Sequence, residues 1–279
     1  MTTHVGKAMR LKRVVDPAGV SLICALDHGM TSPTFLEPLA DITARTGEAV
    51  AGGANVIMMS KGMIGLAEKA FSPTTSLALL LSASANPADP QPQVVQIAQV
   101  EEALRLGADA VVLFTALGGP SEPEMLRTLA GVGRECAALG IPLIAEAEFP
   151  TTYAQVEELK EQYGFEYLRR NVRLCAELGA DIVKTNWPGH QELFGSLVEA
   201  ASGIPVVLAG GSRVGDAELL WRMERAMAAG GIGCSVGRNI FMHRSPEAIT
   251  RALSRVIRER WSAVDAIKEL GQQAGEEAS

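Results

Sequence analysis

A lysine at the end of a short apolar run is the most chemically informative residue in the sequence. Lys184 lies in the segment DIVKT at residues 181–185. Because burying its charge is costly, a lysine is rarely placed in such a segment for packing alone. Burial, together with a second cation for which Lys61 is the candidate, is expected to lower the pKa of the amine, and a neutral amine can attack a carbonyl to form an iminium. A structural ion pair of Lys184 with Asp27 or with a glutamate is the alternative interpretation.

A second group of residues has the properties of a phosphate-binding site. Its glycines follow two later apolar runs and let backbone N–H groups approach a phosphate, while its arginine adds a positive charge. The group consists of Gly210, Gly211, Ser212, Gly237 and Arg238. Tight turns alone would also explain the glycines. Arg213 either joins this site or faces solvent.

An aspartate and a histidine end the first apolar run. Asp27 and His28 follow the segment SLICAL at residues 21–26. The carboxylate of Asp27 is suited to hold a substrate hydroxyl, to move protons and to balance the charge of an iminium on Lys184. His28 is interpreted either as a hydrogen-bonded turn residue or as part of the binding site.

Short apolar runs provide the elements that must position these side chains. They are continuous in hydrophobicity and bounded by Gly, Pro, Asn or Asp, as is typical of parallel strands buried on both faces. The runs cover residues 21–27, 55–61, 76–82, 109–115, 142–148, 181–186, 205–210 and 233–237. Stretches with helical spacing lie between them, for example at residues 94–107, 123–140 and 165–179.

The alternation of strands and helices predicts one α/β domain over residues 1–279, a single (β/α)8 TIM barrel. A doubly wound parallel sheet is the alternative architecture. In a (β/α)8 barrel the active site forms at the carboxyl ends of the strands, which is where Lys184, Lys61 and Asp27 occur. The tail from about residue 262 is predicted to start as a helix and, from about residue 265, to become a polar, acidic and frayed segment.

The composition excludes several classes of protein. A hydrophobic fraction of 47% with 20% charged residues indicates a large core rather than a disordered chain. The formal net charge of −7 argues against a nucleic-acid partner, and no apolar segment approaches the length of a membrane span. The 4 cysteines lack CxxC spacing, which predicts reduced, buried thiols in a cytoplasmic protein. No His, Cys and Asp cluster has the spacing of metal ligands.

Five motifs resemble those of one known family and occur in the same order. The motifs are ALDHGM, GGANVIMMSKG, GADIVKTN, PVVLAGGS and SVGRNIFMH, within a resemblance that runs from about residue 10 to residue 260. On these motifs the chain resembles the archaeal-type class I fructose-bisphosphate aldolases. That family also includes the 2-amino-3,7-dideoxy-D-threo-hept-6-ulosonate synthases and a thiolase that acts on phosphorylated autoinducer-2. The pair GADIVKT and GRNIF is much more specific than a glycine pair.

The resemblance implies roles for several residues. It makes Lys184 the Schiff-base lysine and Asp27 the active-site aspartate. The positions that match the family's phosphate site are Gly210, Gly211, Gly237 and Arg238. The resemblance also implies a covalent lysine iminium with no metal or other cofactor, a small phosphorylated sugar or ketone as substrate, and a homo-oligomer, often a decamer.

One motif departs from the family pattern. The aldolases carry Tyr-Pro-Arg after the fifth strand, and the tyrosine donates and accepts a proton. This chain has EFPT at residues 148–151, so Phe149 stands in the motif without a hydroxyl. The candidates to replace the tyrosine are Glu146, Glu148, Tyr153 and His28. Alternation along the strand is expected to point only one of the two glutamates inward.

These observations favour a class I aldolase that makes or breaks a carbon–carbon bond in a phosphorylated ketose or keto-sugar through Lys184. The missing tyrosine makes a relative with a different acceptor an equal alternative to a glycolytic aldolase, and Trp187 either shapes that acceptor's pocket or only packs against its loop. The same residues are also compatible with a coenzyme A-dependent thiolase or acyltransferase on this scaffold, with a phosphosugar binder without catalysis, and with a barrel isomerase.

Overall fold

The computed structural model of the protein describes residues 5–85, 93–115, 117–118, 121–149 and 156–276. Its strands are β1 (Ser21–Ala25), β2 (Val56–Met59), β3 (Ser76–Leu80), β4 (Ser82–Ala85), β5 (Gln93–Gln96), β6 (Ala110–Phe114), β7 (Leu143–Ala147), β8 (Ile182–Thr185), β9 (Val206–Ala209) and β10 (Gly233–Val236). All but β4 and β5 form a closed parallel barrel in the order β1-β2-β3-β6-β7-β8-β9-β10, with β10 beside β1. The predicted (β/α)8 TIM barrel is confirmed, and each predicted apolar run contains one barrel strand.

Each barrel strand buries both of its faces. In β1, Ile23 and Ala25 belong to an inner cluster of apolar side chains that fills the barrel, whereas Leu22 and Cys24 belong to an outer cluster. The outer cluster lies between the strands and the surrounding helices. Because neither face meets water, the strand sequences are apolar without alternation.

Helices separate most of the barrel strands. They are α1 (Val5–Val14), α2 (Ile42–Ala51), α3 (Lys61–Ala67), α4 (Val100–Arg105), α5 (Glu122–Leu139), α6 (Val156–Glu177), α7 (Gln191–Ala200), α8 (Asp216–Ala228), α9 (Arg238–Phe241), α10 (Pro246–Arg258) and α11 (Ala263–Glu276). Gly140 ends α5 with a φ of 70°, the left-handed conformation that glycine adopts at helix ends. Helix α6 is interrupted at Gly164, which has a φ of 72°.

Helix α1 covers the amino-terminal end of the barrel, a position that the sequence did not predict. Leu11 and Val15 pack against the inner cluster, of which Val14 is a fully buried member. Lys7 Nζ lies 2.9 Å from the carboxylate of Asp181, which directly precedes β8. Helix α1 therefore lies at the end of the barrel opposite to the one that carries Lys184.

One sequence-based prediction about local structure is wrong. Residues 94–107 were expected to form one helix, but β5 pairs antiparallel with β4 and the helix begins only at Val100. The backbone groups after β3 need partners once the chain leaves the barrel, and the Ile97 N–H donates to the Leu81 carbonyl at 2.7 Å. The tail begins as a helix, as predicted: α11 starts at Ala263 and buries Ala266 and Leu270 in the outer cluster.

The four cysteines are buried free thiols, as predicted. Burial raises the pKa of Cys136, Cys175 and Cys234 to about 12, so these thiols remain protonated and unreactive. No helix within the described ranges is long and apolar enough to cross a membrane. The same ranges contain no group of three or more His, Cys, Asp or Glu side chains arranged to hold a metal ion.

Candidate active site

Neighbouring strands β7 and β8 place a lysine between two glutamates at the carboxyl end of the barrel. Glu146 lies directly beside Lys184 in the parallel register. The Lys184 amine donates a hydrogen bond to Glu146 Oε1 at 2.7 Å, and Glu148 Oε1 lies 2.8 Å from the same nitrogen. All three side chains are buried. The ion pair considered as an alternative role for Lys184 is therefore present, with glutamates rather than with Asp27.

Both glutamates point toward Lys184, and the prediction that only one would point inward is wrong. Residues two apart in a strand lie on the same face, so Glu148 repeats the orientation of Glu146. Asn186 repeats the orientation of Lys184 in the same way. Its Nδ2 donates to Glu148 Oε2 at 3.4 Å, and its Oδ1 accepts from the Phe149 N–H at 2.8 Å. Asn186 therefore holds Glu148 and the end of β7 in place, a role that the sequence analysis missed.

The charges around the amine also differ from the prediction. Burial favours a lower pKa for Lys184, but the charges of Glu146 and Glu148 outweigh it and hold the pKa above its usual value. Burial raises the pKa of Glu146 to about 7, although the charge of Lys184 opposes this shift. The resting amine is thus an ammonium, and it becomes a nucleophile only when a neighbour removes its proton. Glu146 accepts the hydrogen bond from this ammonium, and its raised pKa makes it a stronger base than an ordinary glutamate.

Lys61 does not supply the second cation that the sequence analysis assigned to it. It is the first residue of α3, its side chain is 45% exposed, and its Nζ lies 3.1 Å from Glu102 Oε1. Moving this charge from solvent and its glutamate partner into the barrel would cost desolvation free energy. Arg238 is the cation that faces the site instead. Burial lowers the pKa of Arg238 against the opposing charges of Glu148 and Asp27.

Asp27 and His28 lie together at the end of β1. Asp27 Oδ1 is 3.4 Å from His28 Nδ1, and the imidazole packs edge-on against Phe35 and Phe241. Burial favours a higher pKa for Asp27, but the neighbouring His28 and the charge of Lys184 together hold it below its usual value. Asp27 is therefore an ionised carboxylate within electrostatic reach of the amine, whereas His28 mainly packs and pairs with Asp27.

Asn239 organises the loop after β9. Its Nδ2 donates to the carbonyls of Gly210 and Ser212, both at 3.1 Å, and its Oδ1 accepts from the Val214 N–H at 2.8 Å. The two predicted phosphate-binding segments are thereby tied to each other. The sequence analysis did not single out Asn239, although it lies between Arg238 and the apolar end of the motif GRNIF.

Packing favours glycine at two of the predicted phosphate-site positions, strongly at Gly237 and less so at Gly210. A Cβ at Gly237 would overlap His28 Cε1 and would lie 2.7 Å from the Ala25 carbonyl oxygen. A Cβ at Gly210 would lie 3.1 Å from Val236 Cγ1. Neither position can hold a side chain without a shift of its neighbours, whether or not a ligand binds. Arg238, more than these two glycines, therefore indicates a phosphate site.

The remaining members of the predicted phosphate site differ in exposure. Gly211 has a φ of 63°, so the turn itself favours glycine there. Ser212 is half-buried beside it. Arg213 is exposed, which agrees with the interpretation that it faces solvent.

Two cavities open beside Asp27. The smaller one, of about 40 Å³, lies between Asp27 and Glu146. The larger one, of about 250 Å³, extends from Asp27 to Ser60 at the end of β2. Met30 lines both cavities. The described residues therefore leave space beside the buried amine and on the β1–β2 side of the mouth.

Comparison with known proteins identifies the family of this chain. A profile of the DeoC/LacD family aldolases matches residues 21–243. The chain belongs to the DeoC/LacD aldolase family. Its relatives include the 2-amino-3,7-dideoxy-D-threo-hept-6-ulosonate synthase of Halobacterium salinarum, which is 34% identical over 259 residues that cover 92% of this chain and 93% of the relative. A second synthase of that name, from Archaeoglobus fulgidus, is 32% identical over 254 residues and 91% of either chain.

Solved structures similar to this aldolase-family chain include archaeal fructose 1,6-bisphosphate aldolases. One aligns with a TM-score of 0.79 at 26% identity and covers 90% of this chain and 98% of its own. Another, with a TM-score of 0.78 at 26% identity over 89% of this chain and 98% of its own, has its catalytic lysine covalently bound to the carbinolamine intermediate of the substrate. The resemblance predicted from the motifs is confirmed.

Two aromatic residues singled out in the sequence of this aldolase-family chain, Phe149 and Trp187, are buried in the outer cluster. Phe149 is buried in the outer cluster and stacks on Tyr167, with ring centroids 6.1 Å apart. The inward-facing position before it belongs to Glu148. Tyr153 lies outside the described residues. Trp187 is buried in the outer cluster, so the interpretation that it only packs is the observed one.

Proposed function

We propose that the protein is a class I aldolase that makes or breaks a carbon–carbon bond in a phosphorylated ketose or keto-sugar. The observation that carries this proposal is the buried amine of Lys184, hydrogen-bonded to Glu146 within a barrel of the aldolase family. A structural relative that carries its substrate on a lysine supports the same covalent chemistry here.

Glu146 starts the reaction by accepting a proton from the Lys184 ammonium across their 2.7 Å hydrogen bond. The neutral amine then attacks the ketone carbon, a C–N bond forms, and the carbonyl oxygen takes a proton to give a carbinolamine. A further proton transfer from a carboxylic acid releases this oxygen as water and leaves an iminium. A pKa of about 7 allows Glu146 to give and to take protons near neutral pH.

The glutamates also take over the role of the missing tyrosine. In the cleavage direction, a carboxylate removes the proton of the substrate's β-hydroxyl, the carbon–carbon bond breaks, and its electron pair enters the iminium to give an enamine and an aldehyde. Glu148 faces the amine and Asn186 holds it, so Glu148 is the candidate base. Protonation of the enamine carbon and hydrolysis then release the ketone and restore Lys184. Asp27 balances the iminium charge and holds substrate hydroxyls.

Arg238 and the loop after β9 form the proposed phosphate site. Arg238 follows β10, and the loop after β9 carries Gly210, Gly211 and Ser212. Strand β9 adjoins β8 in the barrel, so this site lies on one side of Lys184. A guanidinium with adjacent backbone N–H groups suits a phosphate, and the barrel fold often binds phosphate at its last two strands.

Borohydride trapping tests the proposal. The protein is incubated with dihydroxyacetone phosphate or fructose 1,6-bisphosphate, reduced, and analysed by peptide mass spectrometry. We expect an adduct on Lys184 that persists in EDTA, is absent in Lys184→Met and is retained in Lys61→Met, a matched lysine that is exposed at the end of β2. No adduct with either ligand, despite measurable binding of both, refutes the iminium mechanism for these substrates. Turnover that requires coenzyme A indicates the thiolase alternative.

A further inference from the structure

A groove with an apolar lining extends from the barrel mouth over the ends of β1 and β2. It has a volume of about 250 Å³. Its apolar side chains are those of Leu26, Met30, Leu36, Leu39, Ile42 and Met63. Leu36 is 57% exposed, Met30 42% and Met63 36%. Large apolar side chains that are exposed together around a concave surface are characteristic of binding sites.

The groove adjoins the small cavity beside the proposed reaction centre, because the two share lining residues. Asp27 and Met30 line the groove and also the smaller cavity that reaches Glu146, which is bonded to Lys184. In the barrel order, β2 lies opposite β8, whereas β9 adjoins β8. A substrate that is bound to Lys184 and has its phosphate at Arg238 therefore extends its other end toward the groove.

The lining selects an apolar occupant. Among the described residues that line the groove, Asp27 is the only one with an ionisable side chain, and its negative charge repels a phosphate or a carboxylate. At roughly 30 Å³ per non-hydrogen atom, the share of volume that one water has in the liquid, the groove holds about eight atoms. Met30 and Met63 are flexible side chains that adapt their shape to an unbranched chain.

We infer that this groove binds the aldehyde half of the substrate and that this half is an unphosphorylated aliphatic aldehyde of about four to eight carbons. The inference rests on the proposed aldolase function. In the condensation direction, the enamine carbon on Lys184 bonds to the aldehyde carbon, the aldehyde oxygen takes a proton from a carboxylic acid of the site, and the enamine nitrogen becomes an iminium nitrogen. Hydrolysis of the iminium then releases a phosphorylated ketose with an alkyl tail.

A series of acceptor aldehydes tests this inference with dihydroxyacetone phosphate as the donor. We expect kcat/KM to rise about fourfold for each methylene group from propanal to hexanal, as burial of each methylene predicts. Hexanal is expected to exceed glyceraldehyde 3-phosphate. Met63→Gln is expected to remove most of the dependence on chain length. The matched control is Leu66→Gln, on the same helix α3, 62% exposed and outside the groove lining, which is expected to retain it.

The possible results separate this inference from the proposed function. A borohydride adduct of the donor on Lys184 without any chain-length dependence overturns the inference and leaves the aldolase function intact. If no donor forms an adduct, saturation-transfer NMR measures whether the protein binds 1-hexanol. Binding that Met63→Gln abolishes and Leu66→Gln preserves supports an alkyl site. Absence of binding overturns the inference. A change of oligomeric state in Met63→Gln, measured by light scattering, identifies the groove as a contact between copies of the chain and also overturns the inference.

Discussion

Replacing Glu146 by glutamine tests whether a carboxylate activates the amine. Glutamine keeps the size and an acceptor oxygen next to Lys184, but it cannot take up the proton. Glu148 remains 2.8 Å from the amine, so the ammonium keeps one counter-charge and the variant is expected to fold. We expect the rate of iminium formation at pH 8 to fall about 10²–10⁴-fold, which is the usual contribution of a positioned acid–base group.

Glu146→Gln is also expected to change how the free energy of unfolding depends on pH. The pKa of Glu146 is about 7 in the folded protein against 4.5 for an ordinary glutamate, so folding binds a proton between these values. The stabilisation is fully present below pH 4.5 and is lost as the pH rises through 7, by roughly 3 kcal/mol for a shift of this size. Glutamine does not ionise, so the Glu146→Gln variant is expected not to lose this stability as the pH rises. The iminium rate of the wild type is expected to rise up to pH 7 and then level off, because the base form of Glu146 accumulates over that range.

Two measurements check these expectations. Rapid mixing with dihydroxyacetone phosphate, followed by a borohydride quench, gives the rate of iminium formation between pH 5.5 and 9. Urea denaturation at pH 5 and pH 8 gives the free energy of unfolding. The control is Glu102→Gln, which removes a carboxylate that pairs with the exposed Lys61. An activating role of Glu146 is contradicted if Glu146→Gln retains the wild-type rate and its inflection near pH 7. A raised pKa of Glu146 is contradicted if the stability of the variant relative to wild type is the same at both pH values.

Three further substitutions test other parts of the site. Lys184→Met is expected to abolish the borohydride adduct. It is also expected to lower the free energy of unfolding at pH 8 by about 3–5 kcal/mol, because two buried carboxylates lose their counter-charge. The loss is expected to be smaller at pH 5, and an equal loss at both pH values contradicts the ion pairing. Gly237→Ala is expected to cost about 1–3 kcal/mol in thermal melting, because its Cβ overlaps the His28 ring; an unchanged Tm contradicts that contact. Asn239→Ala, which frees three loop hydrogen bonds at about 1 kcal/mol each, is expected to raise KM for phosphorylated donors more than it lowers kcat. An equal effect on an unphosphorylated ketone argues against a phosphate at this loop.

The barrel strands could be predicted because a strand buried on both faces has an uninterrupted run of apolar residues. Lys184 was recognisable for the same reason, since an amine in an apolar strand stands out. Helix α1 left no such mark. Its position depends on contacts such as that of Lys7 with Asp181, which lie 174 residues apart in the chain. The hairpin of β4 and β5 was missed because Val94 and Ile97 also fit a helical spacing, and only the free backbone groups after β3 favour a strand.

The electrostatics of the site could not be predicted from single residues. The direction of the Lys184 pKa shift depends on the register that places Glu146 beside it, and that register is a property of the assembled barrel. The sequence pointed to burial, which lowers the pKa of a lysine, but the partners that reverse the effect lie on another strand. Glu148 could have been placed from the sequence, because a spacing of two residues puts it on the same face as Glu146.

The pairing of β1 with β10 also determines when the barrel can close during synthesis. Ser21 pairs with Gly233, so β1 cannot pair with β10 until nearly the whole chain has left the ribosome. Until then β1 and β9 are open sheet edges, which are prone to pair with other chains. Strands β7 and β8 can meet earlier and bring Lys184 beside Glu146, but the barrel around them closes only when β10 pairs with β1. A nascent chain that stalls before residue 233 therefore presents both an aggregation-prone edge and an incomplete site.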